Sequence, residues 1–508
     1  MASDPPNMPP GSRQVAKGAG TALLARAGAV IEILSQPLYV WLFGLPTYGL
    51  YMVLWSAVNL VENIADLGMT SALQRVVPQA RNDEERASAL RQTMLLGLLP
   101  CIMIAVAASL GAHAIAELVN VAPKDHDRLA TGIALFAWAL PMWAYVEIAT
   151  SALRARKAFG PEIRLRVMWE QVMRMIAAVL FALLGFDTLG LLIAHLCSLA
   201  ITCILSTRLL ARYYRLDLVL SRSSTGTTAK DTFYAGISQL PSNIVGRLFA
   251  DAPPLILNAM IPGTAGASAA GLFAIARKIA SGVQLIRQAF SYVMAPLASE
   301  AVRHDIRHVA EIYGFASRLT IVVATPVTCV IAGSGRALLA LFGTPAQVAY
   351  LALVLLTFTR LVEAVAGSAS TIQAVISLYH RPLLGSLAGL GTAIGIGALL
   401  LPGGGMDGMA IAVSSGIAVT VLTPMVQLWN HERIHPFAPP FGRAAGVSLA
   451  VGVCLFIICE LLLPLHHTIR IGIGGVLIFA GIWLSGRFGL TEADKLALGK
   501  TGRTMRLL

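Results

Sequence analysis

The sequence predicts an all-α polytopic membrane protein of about 14 transmembrane helices, arranged as two pseudo-symmetric six-helix lobes plus two C-terminal helices. Three observations predict it. Of 508 residues, 56% are hydrophobic and only 13% charged, and mean hydropathy is +0.73, whereas soluble domains average about 25% charged residues. Apolar runs of about 20 residues, the length that crosses a bilayer, recur from Gly18 to Ser485. The basic residues alternate in density from loop to loop. A water-soluble enzyme is excluded.

In chain order, residues 1–17 form a polar, Pro-rich cytoplasmic tail. It lacks the basic start and short apolar segment of a cleaved signal, so the first span is expected to target the chain itself. Spans are expected at 18–42, 47–73, 93–117, 129–151, 168–186 and 188–209, forming an N-terminal lobe over 18–209. A cytoplasmic loop, 210–231, leads to a C-terminal lobe over 232–428, with spans at 232–260, 265–297, 313–333, 348–377, 383–401 and 406–428. A cytoplasmic loop at 429–443, two additional helices within 444–486 (444–464 and 470–486) and a basic cytoplasmic tail at 487–508 complete the chain.

With a cytoplasmic N-terminus, the inside loops carry about 27 Lys/Arg and the outer loops about 4, namely Lys124, Arg128, Arg336 and Arg470, as the positive-inside rule requires. Both termini are therefore expected in the cytoplasm. The net charge of +12 is spread between apolar runs rather than gathered in a polar domain, which argues against nucleic acid. A weak internal repeat supports two lobes: Gly44–Tyr51 opens the second span and Gly263–Phe273 the eighth, each Gly-rich and ending Gly-Leu-aromatic. Both halves start in the same direction, the parallel-repeat arrangement of several alternating-access carriers.

About seven basic residues are left over once the loops are counted: Arg26, Arg174, Arg247, Arg277, Lys278, Arg287 and Arg360. Each costs at least ~2.5–3.5 kcal/mol at a helix centre, so each needs a cavity, a partner or an interface. Arg174, near a span end, is expected to snorkel. Arg360 has an i,i+3 partner in Glu363. The eighth span carries a polar stripe of Arg277, Ser281, Gln284, Gln288 and Ser291, flanked by Arg287. The second carries Asn59, Asn63, Asp66 and Thr70, with Glu62 alongside, and the seventh Gln239, Asn243, Arg247 and Asp251. Such stripes line a water-filled cavity or bond to one another at about 0.6 kcal/mol per contact. The excess positive charge favours the cavity.

Guanidinium holds phosphate in a bidentate fork and stays charged when desolvated. Arg26, Arg247, Arg277 and Arg287, with Gln284 and Asn63, are therefore the candidate substrate-binding residues, and pyrophosphate the natural ligand. Arg247 has a rival role as the i,i+4 partner of Asp251. Asp251, followed by Pro253 and Pro254, and Glu363 are the candidates for coupling to sodium or a proton.

The opening spans, with Tyr48–Tyr51 and Ala65-Asp-Leu-Gly-Met-Thr-Ser-Ala-Leu-Gln-Arg75, and the eighth span's Gly271-Leu-Phe-Ala-Ile-Ala-Arg-Lys278, resemble polysaccharide flippases of the multidrug/oligosaccharidyl-lipid/polysaccharide exporter superfamily. The resemblance implies a two-lobed bundle with a central cationic cavity. It implies a flippase moving undecaprenyl-pyrophosphate-linked oligosaccharide repeat units across a bacterial inner membrane for surface polysaccharide biosynthesis. The arginines named above would line that cavity. Membrane lipids, a polysaccharide polymerase and a chain-length regulator are the partners it suggests, and no cofactor. The related lipid II flippases are the alternative. Their first span typically carries Arg-Asp, whereas Ala27 follows Arg26 here and the nearest acid is Glu32, which favours the repeat-unit reading. Multidrug cation exporters of the superfamily, with acidic sites and usually fewer spans, come third. A groove for the prenyl tail on the last two helices is a further expectation from the lipid II relatives.

Other motifs are decoys. His431-Glu-Arg-Ile-His435 matches a zinc-protease pattern, but Pro436 follows at once and no third ligand is evident. Gly403–Gly405 lacks the Lys and Ser/Thr of a phosphate loop, so ATP bound to this chain does not drive transport. Gly391 and Gly395 form a G-x-x-x-G expected to pack closely against another helix. The six cysteines, all in or beside apolar runs and none spaced C-x-x-C, read as packing residues. No metal site is expected. The outer loops are too short for a polysaccharide polymerase or ligase, and no re-entrant filter marks a channel.

Overall fold

A computed structural model describes residues 28–156, 158, 164–221, 226–302, 306–376, 380–437 and 439–498. Arg26 lies outside the described residues. All regular structure there is helical, and among the described residues nine helices are long and apolar enough to cross a membrane, with Ile31–Phe43 a shorter apolar helix. The protein is an all-α, multi-pass membrane protein. The chain divides into two compact units, between Ala274 and Ile275.

The first unit holds α1 (Gly28–Phe43), α2 (Leu45–Ala65), α3 (Met69–Val76), α4 (Asp83–Leu110), α5 (Pro123–Phe136), α6 (Ala139–Ala155), α7 (Glu170–Leu183), α8 (Thr188–Tyr213), α9 (Gly226–Met260) and the start of α10 (Gly263–Val302). Gly44, at φ 85°, makes the turn into α2, and Pro in the first turn of α2 needs no hydrogen-bond partner there. Asn82 caps α4 through Glu85 N (2.8 Å), and Asp83, Glu84 and Glu85 fill its first turn. This charged turn starts the helix well before the apolar run at 93–117.

The expected second span, 47–73, is two helices. Leu67 (φ 53°) and Gly68 (φ 73°) break it, and the Asp66 carboxylate accepts from Thr70 N (3.1 Å) and Thr70 Oγ1 (3.0 Å) across the break. Here α9 comes so close that a Cβ on Gly68 would sit 2.2 Å from the Gly236 carbonyl oxygen. The apolar run continues through the break, so hydropathy reads one span. Near the other end of α2, a Cβ on Gly49 would lie 1.8 Å from the Ala267 carbonyl oxygen. This packing along α2 and α3 places α9 in the first compact unit, although the repeat pattern divides the sequence at 210–231.

The second unit continues α10 and adds α11 (Ile306–Gly333), α12 (Gly335–Ala340), α13 (Tyr350–Ala366), α14 (Ser368–Ile376), α15 (His380–Glu432), α16 (Pro439–Leu461), α17 (His467–Gly489) and α18 (Glu492–Ala497). The chain reverses within α15 at Gly405 (φ 48°, ψ −124°). The arms on either side pack face to face, since a Cβ on Gly389 would meet the Gly416 carbonyl oxygen at 2.5 Å. That corrects the G-x-x-x-G expectation. A Cβ on Gly391 or Gly395 would meet nothing within 4 Å, because the contact face carries Gly385 and Gly389 instead.

The final helices close on α11 through small residues. A Cβ on Gly333 would lie 2.8 Å from Cys459 Cβ, one on Gly452 2.8 Å from Cys329 Sγ, and one on Gly481 2.9 Å from Pro326 Cβ. Packing uses the cysteines as expected, and all six are free thiols. The segment expected as a basic tail is partly core. Leu490 and Ala497 join Val309, Tyr313 and Ala316 in a buried cluster, and Thr491 and Asp494 form a capping box at the start of α18. Arg318 grips Asp494 in a bidentate pair, Nε to Oδ2 at 3.0 Å and Nη2 to Oδ1 at 2.7 Å. Helix α15 ends at Glu432 and Arg433 has φ 57°, so His431 and His435 share no helical face; His435 packs against Trp429 and Phe437.

Candidate substrate-binding site

Helix α9 brings Arg247 and Asp251 together one turn apart, Nη1 to Oδ2 at 3.7 Å, with the carboxylate buried and the guanidinium 33% exposed. The i,i+4 pair weighed from the sequence is present. One turn before Arg247, Asn243 Nδ2 donates to Ser71 Oγ at 3.4 Å. On α2, Asn59 Nδ2 returns to its own helix at Trp55 O (3.0 Å), while Asn63 Oδ1 is buried without a hydrogen-bond partner. The polar stripe of the second span is thus partly spent on its own backbone. The side chains of Gln239 and Ser291 lie outside the described residues.

In the second unit, Arg287 on α10 and Arg360 on α13 converge on one carboxylate. Arg287 Nε lies 3.2 Å from Glu363 Oε1 and Arg360 Nη1 2.5 Å from Oε2. The Arg287 stem can approach because Gly367 has no side chain: a Cβ there would meet Arg287 Cδ at 3.0 Å. The expected Arg360–Glu363 pair is present, and the structure adds Arg287, which the sequence reading set apart from Glu363. Two guanidiniums against one carboxylate leave one surplus positive charge. Each Glu363 oxygen already faces a guanidinium, which makes this an anion-attracting cluster. Arg277 and Gln284 are half-buried on α10, and Ser281 donates to its own helix at Lys278 O (2.6 Å). Asn63, Arg247 and Asp251 belong to the first unit and Arg277, Gln284, Arg287 and Glu363 to the second.

Arg174 corrects the snorkelling expectation. It is buried, pairs with Glu170 one turn earlier on α7 and donates to Tyr51 Oη at 3.3 Å. Tyr51 Oη also lies 3.2 Å from His195 Nδ1, among Trp55, Phe136 and Trp143. The i−4 spacing of Glu170 and Arg174 was the available signal.

A second feature had no sequence signal. Asn120, in the turn before α5, and Asn258, near the end of α9, exchange three hydrogen bonds: Asn120 N to Asn258 Oδ1 (3.0 Å), Asn120 Nδ2 to Asn258 O (2.8 Å) and Asn258 Nδ2 to Asn120 O (2.7 Å). Gly263 N adds a fourth to Asn120 Oδ1 at 3.0 Å. The clamp joins the α4–α5 turn to the α9–α10 turn.

Residues 42–344 match a family described as "Polysaccharide biosynthesis protein". No curated protein matches the sequence. Among solved structures, the fold is similar to a lipid II flippase, MurJ, in an inward closed conformation, with a TM-score of 0.68 at 11% identity over 91% of this chain and 97% of that one. It is also similar to a mutant form of the Vibrio cholerae MATE transporter VcmN, with a TM-score of 0.61 at 14% identity over 83% and 98%. An outward-facing multidrug resistance MATE family transporter of the MOP superfamily gives 0.59 at 15% identity over 83% and 96%. At these identities the likeness concerns the fold.

Proposed function

The chain belongs to the polysaccharide biosynthesis protein family and is a multi-pass transporter of the multidrug/oligosaccharidyl-lipid/polysaccharide exporter superfamily; from that premise we propose that it flips a lipid-linked glycan across a bacterial inner membrane, with both termini cytoplasmic. The observation that carries the proposal is the Arg287–Glu363–Arg360 cluster, a surplus of guanidinium within an apolar helical bundle. Guanidinium pairs with pyrophosphate without needing a proton, so the site binds its ligand at any physiological pH. In this reading Arg247, Arg277 and Arg287, with Gln284 and Asn63, are the substrate-binding residues. The pyrophosphate reaches them from the cytoplasmic side while the prenyl tail stays in lipid. Repacking of the helices then exposes it to the other side. The acids Asp251 and Glu363 trade arginine partners during the cycle and are the proposed points of coupling to a cation.

The comparisons side with a lipid II substrate, the alternative drawn from the sequence, more than with an oligosaccharide repeat unit. The solved flippase of like fold carries lipid II in its name, and this chain covers 97% of it. The family description, polysaccharide biosynthesis, supports the repeat-unit substrate. The position that separates the two in sequence, after Arg26, lies outside the described residues. The test is binding of lipid II, of undecaprenyl-pyrophosphate oligosaccharide and of a cationic drug to the purified protein and its Arg247→Ala and Arg277→Ala variants. Tight binding of either lipid, weakened in both variants, is expected, and the tighter lipid identifies the substrate class. Drug binding with no response to either lipid would overturn the flippase reading.

A further inference from the structure

Arg336 and Arg470 are two of the four basic residues expected in outer loops, yet Arg470 is only 6% exposed. It stands in the first turn of α17. Its Nε and Nη2 are sealed from solvent and have no hydrogen-bond partner. The groups around it are fixed by packing. One turn further along α17, a Cβ on Gly474 would lie 3.2 Å from Ser334 Oγ, which brings α17 against the α11–α12 turn. Helix α17 also packs along α12, which carries Arg336, and along α16, which carries Glu460.

The acid of this cluster, Glu460, is already engaged on both oxygens. Tyr350 donates its hydroxyl to Oε1 at 3.1 Å, and Arg336 Nη1 lies 3.7 Å from Oε2. The Arg336 guanidinium sits over the Tyr350 ring, 4.6 Å from its centroid, a cation–π contact that holds it in place. Among the described residues, then, Arg470 makes no ion pair, and Glu460 is engaged by Arg336 and Tyr350. A buried guanidinium with unmade hydrogen bonds is costly, and the cost is removed by an anion that accepts from its fork. A guanidinium pairs with two oxygens of a tetrahedral phosphate through such a fork. The rim is polar as well, with His466 exposed and its Nδ1 2.8 Å from Thr468 Oγ1.

We propose that Arg336, Tyr350, Glu460 and Arg470 form a second anion site, selective for a phosphate group, at the end of the second unit where α16 turns into α17. It is separate from the Arg287–Glu363–Arg360 cluster, since Tyr350 and Arg360 are ten residues apart on α13, about 15 Å along its axis. The site stands whether or not the flippase reading holds. A phosphate reaches it from either of two sources, the headgroup of an anionic phospholipid or a soluble phosphate.

The test uses the full-length protein in lipid nanodiscs. Retained phosphatidylglycerol and phosphatidylcholine are counted by native mass spectrometry, and inorganic pyrophosphate is titrated by calorimetry. Wild type is expected to retain phosphatidylglycerol over phosphatidylcholine, or to bind pyrophosphate. Arg470→Ala is expected to weaken that binding at least tenfold, and Arg470→Lys to restore part of it. Glu460→Gln removes the competing negative charge and is expected to strengthen it, which keeps the test decisive if Arg470→Ala does not fold. Pyrophosphate binding that displaces phosphatidylglycerol assigns the site to soluble phosphate; retention insensitive to pyrophosphate assigns it to lipid. Equal binding in wild type and Glu460→Gln, equal binding in wild type and a folded Arg470→Ala, or no binding of either probe, overturns the proposal.

Discussion

Gly49 and Gly271 touch backbone to backbone: a Cβ on Gly271 would lie 3.0 Å from the Gly49 Cα. These are the glycines of the two Gly-Leu-aromatic motifs that mark the internal repeat, so the repeated segments pack against each other at their shared glycine. Any side chain at Gly49 must displace the Ala267 carbonyl, 1.8 Å from the Cβ position. Gly49→Val is expected to destabilise by ~1–3 kcal/mol, the usual cost of overpacking. Gly391→Ala, in open space, should stay within about 0.5 kcal/mol of wild type. Unfolding in detergent, with both variants side by side, checks this.

The Asn120–Asn258 clamp carries a prediction about conformation. Replacing Asn258 with Ala removes the side-chain partners of Asn120 N and Asn120 O. Leaving such groups unpaired costs about 1–3 kcal/mol when they are buried. Asn258→Ala and Asn120→Ala are each expected to favour the state in which the α4–α5 and α9–α10 turns separate. A spin-label distance between these turns should lengthen in both, and the double variant should add little to either single one. Unchanged distances would mean that glycine packing alone holds the turns.

Arg318 and Asp494 predict an asymmetry. Asp494 is fully buried and Arg318 nearly so. Asp494→Ala strands a buried guanidinium and is expected to cost ~3–5 kcal/mol, while Arg318→Met with Asp494→Leu should recover much of that loss. Thermal unfolding of the single and double variants reads this directly. Equal loss in both would place the value of the pair in the pairing itself.

Glu363 separates two accounts of the α10–α13 cluster. Glu363→Gln leaves Arg287 and Arg360 without their shared counter-charge, so pyrophosphate-lipid binding should tighten, about tenfold for each 1.4 kcal/mol gained. Transport should slow, because release then needs a larger opening cost. If Glu363 instead carries the coupling cation, binding should be unaltered and the dependence on sodium or proton gradient lost.

Much of this was legible before the structure. The all-α membrane class, the Arg360–Glu363 and Arg247–Asp251 pairs and the turn at Gly44 follow from hydropathy, helical spacing and backbone sterics, which act within a few residues. What escaped depends on contacts between distant segments. The break at Leu67–Gly68 is set by the approach of Gly236, and hydropathy does not register it. Arg174 looked free to snorkel because its surroundings, Tyr51 and the ring cluster with His195, lie far off in sequence. Gly391 and Gly395 matched a packing motif, but the choice of helix face was made by Thr420 and Gly416 on the returning arm. Arg470 read as a loop charge, yet it is buried on a helix, α17, that packs against α11, α12 and α16, segments distant in sequence or across a turn.

In the proposed function the arginines carry a pyrophosphate-linked lipid across the membrane. The most direct measurement reconstitutes the protein in liposomes with fluorescent lipid II, or the corresponding oligosaccharide lipid, and follows its exposure to an external quencher. Quenching is expected to require the protein and to fall at least tenfold in Arg287→Ala, with Gly391→Ala at the wild-type rate. Equal rates in wild type and Arg287→Ala, or none above protein-free liposomes with either lipid, would contradict the proposed function.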